Sequence, residues 1–146
     1  MKRPGRKLYI ILIAIGAVFT CGTAIICAQD NPYRVSEGWA KLPAGRTWGS
    51  TAAVDVDAND HIWVAERCGA NSCAGSNLAP IFEFDQSGQL LRSFGAGLFV
   101  FPHGIAVDKE GNIWVSDGQG KDGKGHQVFK FSPDGKVLLT LGKAGI

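Results

Sequence analysis

The sequence predicts an all-β chain: a partial β-propeller of about two four-stranded antiparallel blades, preceded by one N-terminal membrane helix or signal peptide. Three observations predict this. Ala53–Glu66 (AVDVDANDHIWVAE) and Ala106–Asp117 (AVDKEGNIWVSD) share one order, which is A-V-D, a turn, I-W-V, an alanine or serine, and an acid. Ile81–Gly95 (IFEFDQSGQLLRSFG) returns as Val128–Gly142 (VFKFSPDGKVLLTLG). Ahead of both, an uncharged run from Leu8 to Ala28 follows Lys2, Arg3, Arg6 and Lys7.

In chain order, residues 1–28 are read as a transmembrane anchor or a signal peptide. The uncharged run is 21 residues long, and about 20 apolar residues span a bilayer. The alternative is a cleaved leader ending at Ile26-Cys27-Ala28. Cys21 and Cys27 lack the preceding leucine and small residues that mark lipid attachment. The basic flank holds the N-terminus on the cytoplasmic side. Everything after it is then extracytoplasmic, periplasmic or extracellular, either anchored through residues 8–28 or secreted.

Residues 29–47 read as a linker of irregular structure, with Pro32 and Pro43 and no strong period. Residues 48–146 read as two blades. Asp57 and Asp108 are 51 positions apart, as are Trp63 and Trp114; Phe84 and Phe131 are 47 apart, as are Gly88 and Gly135. The four-residue difference falls in the loop between the halves of a blade. Within each half the apolar period is two and the residues are Val, Ile, Phe and Trp, which is strand chemistry. The turns Ala-Asn-Asp, Glu-Gly-Asn, Gln-Ser-Gly and Pro-Asp-Gly favour hairpins over crossovers. Four strands in roughly 40 to 50 residues make a propeller blade. Propellers close with about 4 to 8 blades, so two blades are expected to leave apolar faces and strand edges uncovered.

The formal net charge of +2 conceals a division: with the four basic residues before the apolar run set aside, 11 positive charges face 13 negative ones. A mildly acidic outer part with no basic patch argues against nucleic acid as a partner. Cys68 and Cys73 lie five apart in a Gly, Ala, Asn and Ser loop. In an oxidising compartment that spacing favours a local disulfide, and no two further close thiol or imidazole ligands follow to complete a zinc site with them.

Two positions break the repeat. His103 stands directly after Pro102 at the start of the innermost strand of the second blade, and the first blade has no histidine there. The bland reading is a polar residue lining the channel. Arg67 follows Glu66 where the second blade has Gly118 after Asp117. Either it forms a surface pair with Glu66, worth less than about 1 kcal/mol, or it offers its planar fork of donors to a carboxylate or oxyanion. His61 and His126 read as structural or solvent-facing.

The run LFVFPHGIAVDKEGNIWVSD, followed by HQVFKFSPDGKVLLTLG and preceded by AAVDVD and WVAERCG, resembles the peptidyl-α-hydroxyglycine α-amidating lyases, six-bladed propellers of the NHL-repeat group. The likeness covers about Trp48 to Ile146, and P-H-G is its most specific element. It implies an N-terminal part of an enzyme that cleaves peptidyl-α-hydroxyglycine to a peptide amide and glyoxylate, with a peptide as substrate. It places His103 as the first of three zinc histidines, Arg67 as a catalytic arginine, and the main-chain carbonyls of Val54 and Ile105 on a structural calcium. The family's other two zinc histidines, its tyrosine and its calcium-binding aspartate belong to later blades, so this chain by itself is expected to bind zinc and calcium weakly and to be inactive. The readings set against it are a non-catalytic NHL-type module binding a peptide, glycan or protein, and a lactonase-like metal-dependent propeller enzyme. No methionine or histidine cluster suits copper, which argues against a fused hydroxylating domain within these residues.

Overall fold

The computed structural model describes residues 31–145. The apolar run Leu8–Ala28, read above as a membrane or leader segment, lies outside them. Among the described residues no helix is long and apolar enough to cross a membrane.

The architecture is all-β. The first blade is an antiparallel sheet of β1 (Thr51–Val56), β2 (Ile62–Glu66), β3 (Ile81–Phe84) and β4 (Leu90–Phe94) in sequential order. The second contains β5 (Pro102–Val107) and β6 (Ile113–Asp117), then β9 (Val128–Phe131) and β10 (Val137–Leu141), again in order from inside to outside. A small hairpin, β7 (Gly120–Lys121) with β8 (Lys124–Gly125), interrupts it. The innermost strands β1 and β5 lie beside one another.

The repeated motif folds the same way twice because its polar residues close their own turns. Asp57 Oδ1 accepts from the Asn59 and His61 amides at 2.8 and 3.0 Å, and its Oδ2 accepts from Trp63 Nε1 at 3.1 Å. Asp108 does the same for Glu110, Asn112 and Trp114, at 3.1, 2.8 and 3.0 Å. These bonds align Val56-Asp57 with Val107-Asp108, so the earlier Asp55 is left for another task. Its Oδ2 accepts from the Val107 amide at 2.7 Å and ties the blades together. Burial raises both turn carboxyls, but more hydrogen bonds lower them. Trp63, His61 and Asn59 hold Asp57 below the usual carboxylate range, and Trp114, Lys130 and Asn112 hold Asp108 far below it.

The acid ending each copy also has a structural use. Glu66 Oε2 accepts from the Gly49 and Gly69 amides at 2.8 Å, and Asp117 Oδ2 accepts from the Val100 amide at 2.8 Å. Gly49 and Val100 are equivalent positions, so each buried acid clamps the segment that enters its own blade. Such charges persist in a core only when bonded in this way.

Trp63, Ala65 and Ile81 of the first blade pack against Ile113, Val115, Phe129 and Phe131 of the second, with Phe99 between. The opposite face of the first blade presents Val64, Phe82 and Phe84, and the segment read as a linker covers it with Trp39, Ala40 and Leu42. Its structure is irregular, yet it is fixed in place. Trp39 Nε1 donates to Gln86 O at 2.9 Å, and Arg46 pairs with buried Glu66. Gly88, at φ 81°, is required here because a Cβ would lie 2.0 Å from Trp39 O. Val137, Leu138, Leu139 and Leu141 of β10, the edge strand of the second blade's sheet, are exposed.

Candidate functional site

The loop after β2 is closed by the Cys68–Cys73 disulfide. Cys73 N donates to Val100 O at 2.8 Å, and Ser72 Oγ reaches the same carbonyl at 3.1 Å. The loop is thereby pinned to the segment that enters β5. Arg67 opens this loop. Its amide donates to Ser50 O, as that of Gly118 donates to Phe101 O in the second blade, at 3.1 and 2.9 Å.

The Arg67 side chain does not pair with Glu66, which Arg46 has taken. Instead it crosses to the second blade. Its Nε donates to Pro102 O at 3.2 Å, Nη1 donates to Asn71 Oδ1 at 2.8 Å, and the guanidinium carbon lies 3.5 Å from the centre of the Phe101 ring. The Phe101 ring in turn lies 6.1 Å from the imidazole of His103. Arg67 therefore grips the carbonyl of the peptide bond leading into His103, and both side chains rest beside one phenyl ring. Stacking on an aromatic face holds a guanidinium in place without consuming its in-plane donors.

His103 is exposed on β5, where Gly118 provides the space beside it. A Cβ on Gly118 would lie 3.4 Å from His103 Cβ. Val54 and Ile105 occupy the same register in the adjacent inner strands, opposite Val64 and Val115. Their backbone is thus placed symmetrically on the inner edge of the two blades. Chemically, the site offers one free imidazole and a fixed guanidinium, suited to a metal or proton and to a carboxylate respectively.

Among the described residues, the histidine, cysteine and acidic groups that converge within ligand distance are Asp57, His61 and Glu83, and His103 is not among them. The three histidines do not converge, so the described residues do not by themselves form a three-histidine zinc centre. His126 is exposed beyond β8 with φ 54°; His61 is half-buried and bonded to Glu83 at 2.8 Å. A hollow between the disulfide loop and β7–β8 is lined by Ser76, Asn77, Val100, Lys121 and Lys124, and touches neither Arg67 nor His103. Sequence reasoning missed Phe101, although an aromatic two residues before the histidine was visible in F-P-H-G.

The two four-stranded antiparallel sheets and their repeated turns have the form of propeller blades. Residues 99–131, from Phe99 through β9, match the NHL repeat family. The chain is similar to peptidyl-alpha-hydroxyglycine alpha-amidating lyase 1 of Drosophila melanogaster, 44% identical over 61 residues, which is 40% of this chain and 10% of that protein. It is 30% identical over 115 residues to the peptidylglycine alpha-amidating monooxygenase of Rattus norvegicus, covering 66% of this chain and 11% of that protein. It is 32% identical over 117 residues to NHL repeat-containing protein 3 of Homo sapiens, covering 77% of this chain and 31% of that protein. The resemblance to the amidating lyases read from the sequence therefore holds, and the chain matches only about a tenth of the length of such relatives.

Proposed function

We propose that this chain supplies the Arg67–His103 portion of an extracytoplasmic site of the peptidyl-α-hydroxyglycine lyase type, and that it is inactive by itself. One observation carries the reading: Arg67 and His103, two departures from the repeat, come together across the blade boundary, joined through Pro102 O and Phe101. The lyase relatives support the same reaction class.

In this reading Arg67 binds the carboxylate of the hydroxyglycine residue, with Nε and Nη1 held by protein acceptors and the outer edge of the fork turned to substrate. The stacked ring fixes the guanidinium, so little side-chain freedom is lost on binding. His103 offers a ring nitrogen as one ligand of a zinc ion; such an ion, when bound, makes the substrate hydroxyl easier to deprotonate. The main-chain carbonyls of Val54 and Ile105 would serve a calcium ion on the channel axis. Both ions require ligands beyond those described, which is why the chain alone should not turn over substrate.

The test is glyoxylate release from an N-acyl-α-hydroxyglycine. The chain alone should release none above background, whereas a chimera carrying it in place of the first two blades of an authentic lyase should be active. Arg67→Ala in the chimera should lower turnover with zinc content nearly unchanged, and His103→Ala should lower both. Full activity in both variants would sink the assignment. A second reading, a non-catalytic NHL module, is favoured by the human NHL repeat-containing protein, whose match covers more of the chain than either lyase-type match above; an inactive but folded chimera would support it.

A further inference from the structure

A second constellation lies away from Arg67 and His103, at the β1–β2 turn of the first blade. His61 Nδ1 is 2.8 Å from Glu83 Oε1 and 3.6 Å from Asp57 Oδ2, and one ligand atom from each residue falls within 4.8 Å of the others. Glu83 faces the same side of the sheet as Trp63, its direct partner across β2 and β3, and is only 3% exposed. Arg92 Nε pairs with Glu83 Oε2, yet no hydrogen bond is directed at that buried oxygen.

The internal repeat shows what is unusual here. Asp57, His61 and Glu83 correspond to Asp108, Asn112 and Lys130 of the second blade. There, Lys130 Nζ stands 3.0 Å from Asp108 Oδ2, and the turn aspartate carries its own cation. The first blade keeps the aspartate, replaces the lysine by a buried carboxylate, and puts an imidazole between the two acids. The Arg92 guanidinium pairs with Glu83 and not with Asp57. Buried carboxylates persist when paired or when coordinating a metal. One imidazole nitrogen between two carboxylate oxygens is a donor set for zinc-class ions, whereas calcium takes oxygen alone.

We propose that Asp57, His61 and Glu83 bind a divalent transition-metal ion of the zinc class, seated where the Lys130 ammonium stands in the second blade. His61 would ligate as the neutral imidazole through Nδ1 with its N–H on Nε2, beside one oxygen from each carboxylate, with water completing a tetrahedral shell. The Trp63 indole, donating to Asp57 Oδ2, orients that carboxylate from outside the shell. The ion would fasten the β1–β2 turn to β3. This site is independent of the proposed lyase function, because His103 takes no part in it.

The experiment titrates the full 146-residue chain with zinc alone, by calorimetry and by the histidine ring resonances. His61 should shift on saturation, at micromolar zinc, while His103→Ala leaves this binding in place. His61→Asn and Glu83→Lys install the second blade's residues, and each should weaken binding at least about 100-fold, since even outer-shell changes cost 10- to 100-fold. Circular dichroism checks that each variant folds; if Glu83→Lys does not, His61→Asn still decides. Zinc binding equal in wild type and His61→Asn, loss of all binding in His103→Ala, or equal competition by calcium would each overturn the assignment.

Discussion

Trp63 and Trp114 occupy the same place in two copies of one motif, and truncating each to alanine measures how much the second blade stabilises the first. Each indole donates to its turn aspartate, at 3.1 Å in the first blade and 3.0 Å in the second, so the hydrogen-bond loss of about 1 kcal/mol cancels between them. The packing does not cancel. Trp63 is 2% exposed beneath the second blade, and a fully buried tryptophan costs about 3 to 5 kcal/mol on truncation to alanine. Trp114 is half-buried, and Lys130 lies 4.9 Å over its ring; half the burial term plus a cation–π contact gives about 2 kcal/mol. Urea unfolding of the full chain, followed by circular dichroism, should therefore place Trp63→Ala about 2 kcal/mol below Trp114→Ala with similar m-values. Equal losses, or a larger loss for Trp114→Ala, would refute the claim that face-to-face blade packing dominates this fold.

Four further outcomes follow from the same structure. The Asp108 carboxyl is held far below its usual 3.8, so its contribution is present above about pH 4 and is lost as pH falls toward the folded-state value; Asp108→Asn should flatten the acid limb of the stability curve relative to wild type. Replacing Cys68 and Cys73 by serine opens a loop with a separation of 5 residues and should cost about 2 kcal/mol in urea unfolding by chain entropy; no change in midpoint would argue against that role. Glu66→Gln leaves Arg46 without its buried counter-charge and should cost about 3 kcal/mol; the thermal midpoint reads this directly. Asp55→Ala removes the bond to the Val107 amide and should cost about 1 to 2 kcal/mol, measured by the same unfolding.

The blades were legible because their determinants are local. Alternation of Val, Ile, Phe and Trp, together with aspartates that bond their own turns, encodes each hairpin without reference to the rest of the chain. The packing of Trp39, Leu42 and Arg46 onto the first blade was not legible, because an irregular segment has no period and its partners Phe82, Phe84 and Glu66 lie 20 to 45 residues away. The β7–β8 hairpin escaped for a related reason: two-residue strands leave no alternation to detect. At the site, the departures from the repeat marked Arg67 and His103, but only the fold shows that Arg67 crosses the blade boundary to Pro102 O and Phe101 beside His103. Glu83 carried a visible signal as well, since an acid replaces the lysine of the second copy, but its convergence with Asp57 and His61 depends on the pairing of β2 with β3.

That Arg67 and His103 form one site for an α-hydroxyglycine carboxylate is tested most directly by titrating the full chain with an N-acyl-α-hydroxyglycine and following the ring resonances of Phe101 and His103. Saturable shifts are expected at both rings and should disappear in Arg67→Ala, while the acyl-glycinamide lacking the carboxylate should produce none. Shifts that persist in Arg67→Ala, or rings that do not respond to the carboxylate, would contradict a shared site.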